Sequence, residues 1–154
     1  MTTDYIVASL PTLRFGESVP ITWAKFAEMV GDDARLARLK AKFADLETQL
    51  KNAIAFARVG NDDFARATKG CSLYWKNRVL ATFQEKDIAK RDELLDRLTW
   101  DAAEELTSPT APLGEGALAT YAIRLQIALK RAKISKAQGN AAFDRLTAET
   151  KITF

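Results

Sequence analysis

The sequence predicts an all-α chain, a five- to six-helix antiparallel bundle with a short extended segment at its N-terminus. Three observations carry this reading. Leu36, Leu39, Phe43, Leu46, Leu50, Ala53 and Ala57 alternate three and four residues apart, the spacing of a buried helical seam. Further apolar stripes recur at helical spacing through the rest of the chain. Only two short stretches, 4–10 and 151–154, read as β.

In chain order, Asp4 to Leu10 is apolar and β-branched, and Pro11 bars a helix from continuing across it. Residues 1–15 are therefore expected as an extended segment docked on the bundle, with Ile152 to Phe154 as its candidate strand partner. A first helix is expected over Trp23 to Val30, capped by Thr22 and ended by Gly31. The Leu36–Ala57 seam implies a helix of about 27 residues, roughly 40 Å long. Asp32 and Asp33 suit its start and Gly60 its end. Asn61 to Asp63 then opens a helical stretch placing Phe64, Ala67, Cys71, Trp75, Val79 and Phe83 on one face, with Gly70 as a possible break. Thr82 and Glu85 have capping-box spacing for the next helix, whose stripe is Ile88, Leu95, Leu98, Ala102 and Leu106. Residues 107–115 form a Pro/Gly loop. A helix over 115–134 follows, with Leu118, Ala122, Leu125, Leu129 and Ala132 on one face. Ser135 and Gln138 form a second capping box, opening a short last helix that buries Phe143 and Leu146. Short connections favour antiparallel neighbours.

The 154 residues suit one domain, 1–154, large enough to bury about 70% of its unfolded surface. A net charge of +3 is mild and does not by itself mark a nucleic-acid binder. Cys71 is the only cysteine, which excludes an intrachain disulfide and fits a reducing compartment. The N-terminus lacks the basic and apolar regions of a signal peptide, and no apolar run reaches the roughly 20 residues of a membrane span. A cytoplasmic, unanchored protein is expected. The chain has no histidine. That removes Ser-His-Asp and Cys-His nucleophiles, Cys/His zinc sites and the Glu-x-x-His pair of di-iron bundles. No catalytic residue, cofactor or metal site is expected, and the chemistry points away from an enzyme.

The remaining charged and aromatic features each carry a plain reading. Adjacent carboxylates at Asp32-Asp33, Asp62-Asp63 and Glu104-Glu105 point about 100° apart on a helix, so they read as caps or solvated surface. Arg124, Lys130, Arg131, Lys133 and Lys136 lie within 121–136 with no acid among them. They are a candidate patch for an acidic protein surface, less so for nucleic acid, although core positions interrupt them. Of three tryptophans, Trp75 falls on a core face, whereas Trp100 lies off its helix's main stripe and is the candidate interface anchor. Cys71, in register with Phe64 and Trp75, reads as a buried, slow-reacting thiol.

Two stretches carry a resemblance. The opening Tyr5-Ile-Val-Ala-Ser-Leu-Pro-Thr-Leu-Arg-Phe15 resembles the start of a bacterial family of unknown function encoded in operons of the V-type (archaeal-type) ATPase. Leu98-Thr-Trp100, then Leu118-x-x-Tyr121-x-x-Arg124-Leu125-Gln126-Ile127, then Gly139-x-x-x-Phe143 is similar to that family's C-terminal pattern. Thr99 departs from it, standing where the pattern has arginine. The resemblance implies an α-helical accessory protein of the V-type ATPase, related to its C subunit, with no catalytic residues. The expected function is a non-catalytic accessory or assembly protein of that ATPase. The alternative is a free-standing helical module using 121–136 for an acidic protein or nucleic acid.

Overall fold

The computed structural model describes residues 2–152, with no side-chain description for 142 and 147–152. It is an all-α helical bundle. Among the described residues there are six α-helices and no strand: α1 Thr3–Ser9, α2 Trp23–Val30, α3 Asp33–Val59, α4 Leu73–Thr82, α5 Ile88–Ala102 and α6 Glu115–Ile152. A 3-10 turn, Ala103–Leu106, extends α5.

Both ends of α2 and α3 are set by residues that the sequence marks. Thr22 accepts the Lys25 amide at 3.1 Å, and Asp32 accepts the Arg35 amide at 2.6 Å. Gly31 and Gly60 end the two helices at φ 108 and φ 86, where a side chain would be strained. Leu39, Phe43, Leu46, Leu50 and Ala53 are buried along the predicted α3 seam, while Leu36 and Ala57 at its ends are partly buried.

Residues 4–10 are not extended. Thr3–Ser9 is helical, and only Leu10, the residue before Pro11, takes the extended backbone (φ −72, ψ 137) that proline imposes. Two helical turns satisfy most of the segment's backbone groups internally and let Ile6 be 1% exposed, which outweighs the β-branched preference of Ile6 and Val7. No strand partner is needed. Ile152 continues α6, and Thr153 and Phe154 lie outside the described residues. Residues 2–15 pack on the bundle. Tyr121 Oη donates to the Pro11 carbonyl oxygen at 2.7 Å, and Phe15 meets Trp100 edge-on with centroids 5.6 Å apart.

The stretch after Gly60 also differs from the sequence pattern. Residues 61–72 form a loop, and the helix starts at Leu73, capped by Ser72 rather than by Asn61 to Asp63. Polar side chains of α3 hold this loop. Asn52 bonds both the amide and the carbonyl of Arg66, the Asp45 carboxylate accepts the Lys69 and Gly70 amides, and Gln49 accepts the Ser72 amide. The Lys69 amide, the Gln49 side chain and the Gly70 amide together hold the Asp45 carboxyl below its ordinary value. The loop runs back along α3, so α4 sets out in the same direction: Ser72 sits by Gln49, Lys76 over Phe56, and Phe83 under Arg58. Helix α5 then returns antiparallel to α4, with Arg78 on Asp101 and Arg91 over Phe83. Its cap is Asp87, and Thr82 instead closes α4, bonding back to the Arg78 carbonyl.

The core has two parts. Helices α1 and α2 pack with Leu39, Leu118, Ala122 and Leu125. Helices α4 and α5 pack with Phe43, Leu46, Leu50, Ile123 and Ile127. Helices α3 and α6 contribute buried residues to both, and Leu13, Val19 and Leu106 pack against both. Leu39 is fully buried, so Leu39→Ala should lower unfolding free energy by about 2–5 kcal/mol in urea titrations. Burial pushes the Tyr121 phenol from 10.0 up to about 12. The unfolded chain therefore loses this proton first as pH rises, and the folded state weakens relative to it between those values. Tyr121→Phe should cost roughly 0.5–1.5 kcal/mol at neutral pH through the lost Pro11 bond. It should also flatten the alkaline fall in stability when the two proteins are unfolded side by side from pH 9 to 12.

Candidate functional site

The cations of 121–136 all lie on α6, but helix α5 and the 3-10 turn neutralise most of them. Arg131 reaches Asp92 at 2.9 Å and Asp96 at 3.3 Å. Lys130 reaches Asp96 at 2.9 Å and Asp92 at 3.6 Å. Asp92 and Asp96 are four apart on α5 and so share one face toward α6. Arg124 pairs with Glu104 at 3.0 Å, donates to the Trp100 carbonyl at 3.1 Å and covers the Trp100 ring. Lys133 and Lys136 are exposed and, among the described residues, make no ion pair. The stretch is thus an internal zipper along its first part, with two open lysines at its end.

Trp100 does not stand at the surface. It is 6% exposed, held between Phe15 and Arg124, and belongs to the core. The Phe15 docking explains its position off the α5 stripe, because the N-terminal segment, not a helix, covers that side. Trp75 is buried as predicted, its indole N–H donating to Glu105 at 2.6 Å. Asp32 caps α3, Asp62 and Asp63 lie in the loop, and Glu104 and Glu105 diverge to Arg124 and Trp75. None of these pairs converges. No group of three or more His, Cys, Asp or Glu among the described residues could hold a metal ion.

Of the open concavities along α6, two lie toward its C-terminal half. One is a groove of about 530 Å³ between α2 and α6, lined by Trp23, Gln126, Leu129, Lys130, Lys133 and Ile134. Its apolar floor is Trp23, Leu129 and Ile134, each partly buried. Lys40 of α3 reaches over Trp23, 5.6 Å from the ring centre, so lysines stand on both sides. The other is a notch of about 530 Å³ where α6 leaves the bundle, lined by Phe15 to Ser18, Glu93 and one face of α6 from Ala128 to Gln138. Beyond it α6 does not stop at Ser135. It runs on as one helix of 38 residues, and Phe143 and Leu146, expected in the core, are 69% and 63% exposed. A capping box acts only where the preceding backbone leaves the helix, and here it does not. Trp23 and Lys133 carry the groove, yet their separation in sequence hid it. The only sequence signal was an aromatic side chain next to the Thr22 cap.

Cys71 is exposed, because it lies in the loop before α4 rather than on a helix face. It should react with a thiol reagent such as dithionitrobenzoate at nearly the same rate in native and unfolded protein. A burst of reactivity only on unfolding would contradict its place in the loop. No family model, curated protein or solved structure matches the chain.

Proposed function

We propose that this chain is a non-catalytic accessory or assembly protein that acts through protein–protein contacts in the cytoplasm. The observation that carries it is the groove between α2 and α6. An apolar floor of Trp23, Leu129 and Ile134, with Lys40 and Lys133 on its sides, suits the apolar face of an acidic helix. No helix among the described residues is long and apolar enough to cross a membrane. The resemblance of Tyr5–Phe15 and of the Leu98–Phe143 pattern supplies the partner, a subunit of the V-type ATPase. The chain's Arg124, Lys130 and Arg131 are engaged with its own acids, which favours a protein partner over nucleic acid.

The test is co-purification of the full chain with V-type ATPase subunits from a host that encodes them. Gln126 lines the groove and Lys40 reaches over its Trp23, both exposed, and the double variant Lys40→Glu, Gln126→Glu should keep its helical circular dichroism while weakening subunit binding about tenfold or more. Absence of every V-type subunit from the wild-type eluate would remove this partner. Unchanged binding by the double variant would remove the groove.

A further inference from the structure

A cleft of about 300 Å³ lies between the N-terminal segment, the stretch from the 3-10 turn to Pro112, and the first half of α6. That volume is at the lower end of the range for ligand pockets, which suits a small molecule. Val7, Leu10, Leu13, Pro112 and Ala117 give it an apolar wall, and its only charged lining residues are Glu104 and Arg124. It shares no lining residue with the α2–α6 groove, so its role is independent of any binding at that groove.

The polar groups of the cleft differ in how firmly they are held. The Arg124 guanidinium is fixed: its Nε donates to the Trp100 carbonyl at 3.1 Å and the group lies over the Trp100 ring. Nη2 meets Glu104 at 3.0 Å, and Nη1 makes no hydrogen bond or ion pair among the described residues. Glu104 is 61% exposed against 24% for Arg124, so the carboxylate is the partner that can turn away, and an ion pair this open to water is weak. A third group follows from counting protons. The buried Thr120 hydroxyl donates its one proton to the Ala103 carbonyl at 2.8 Å. Its contact with the Thr107 hydroxyl at 2.9 Å is therefore filled by the Thr107 proton. That leaves the Thr107 oxygen, which lines the cleft, as an acceptor only. The Tyr121 hydroxyl is taken by the Pro11 carbonyl.

We propose that this cleft binds a free α-amino acid with an aliphatic side chain, such as leucine or valine. The ligand carboxylate takes the Nη1–Nη2 edge of Arg124, a planar fork suited to it. The ammonium goes to the displaced Glu104 carboxylate and to the Thr107 oxygen, both acceptors. The side chain lies on Val7, Leu10 and Leu13. The charges of the cleft sum to zero and stand next to each other, which matches a zwitterion. A plain carboxylic acid would set its charge beside Glu104, and a plain amine would set its charge beside Arg124, so each meets one repulsion that the amino acid turns into a bond. Because the ligand touches the N-terminal segment, the 3-10 turn and α6 together, binding also stabilises the folded chain.

The test titrates the full chain with L-leucine by calorimetry and follows its melting temperature. Leucine should bind with a dissociation constant of about 1 mM or below and raise the melting temperature. Three probes each lack one part of it: 4-methylpentanoate has no ammonium, 3-methylbutylamine no carboxylate, and glycine no side chain. Each should bind about tenfold more weakly or less, because a site left with an unpaired polar group rejects the analogue. Glu104→Gln keeps the fold, as circular dichroism will check, and should move two ligands in opposite directions. It should weaken leucine about tenfold and strengthen 4-methylpentanoate, since the carboxylate that competes for Arg124 is gone. A variant that merely loosens the cleft would weaken both. No heat and no thermal shift with leucine up to roughly 10 mM would overturn the proposal. So would binding of either single-charge analogue as tight as that of leucine, or a parallel change of both ligands in Glu104→Gln.

Discussion

Arg35 organises the N-terminal half of the molecule. Its guanidinium is 14% exposed and bonds to three separate places: Glu115 at 2.9 Å, the Thr3 hydroxyl at 2.5 Å and the Val30 carbonyl at 3.2 Å. Those contacts join the first turn of α1, the last turn of α2, the first turn of α3 and the first residue of α6. A charge that far from water is tolerated only when its donors are matched, so each of the four elements must be in place for the others to be stable. Glu115 also sits at the start of α6, where the helix dipole favours a negative charge. The Pro/Gly loop before α6 and the α2–α3 turn thus meet at one point, and the long helices leave it side by side.

From that point the rest follows. Helices α3 and α6 run in the same sense, Arg35 beside Glu115 at their starts and Phe43 near Ile123 and Ile127 further along. Helix α5 fills the space on the far side, tied to α6 by the Asp92 and Asp96 zipper. The N-terminal segment closes the remaining side through Pro11 and Phe15. The groove and the notch are two of the places where this packing leaves α6 uncovered. Both concavities are therefore consequences of how one helix is shared, not of a dedicated loop.

What could be read from the sequence was what local rules decide. Helix α2 and its two caps, the length of α3 and its buried seam all follow from side-chain periodicity and cap chemistry within a few residues. The misreadings came where distant groups decided. Phe64, Cys71 and Trp75 share a helical period, but Asn52, Asp45 and Gln49 of α3 capture the intervening backbone and hold it as a loop. The cations of 121–136 were visible as a run, and the acids that neutralise Lys130 and Arg131 lie more than thirty residues earlier. Trp100 looked peripheral because the side chain that buries it, Phe15, belongs to no helix. The N-terminal residues resemble strand in composition, and only the pocket that takes Ile6 makes a two-turn helix the better choice.

The division of the core into two parts that share α3 and α6 bears on how the protein comes apart. Leu39 and Leu118 belong to one part, Phe43 and Ile123 to the other, yet each pair sits on the same two rods. A helix cannot fray in its middle without losing hydrogen bonds on both sides of the break. Loosening either part therefore strains the rods that frame the other, and the two halves of the core are mechanically in series. Such a molecule is expected to melt as a single cooperative unit, the more so because Leu13, Val19 and Leu106 pack against both parts. Neither half can be cut away and expected to stand alone, and damage at one end of the bundle is felt at the other.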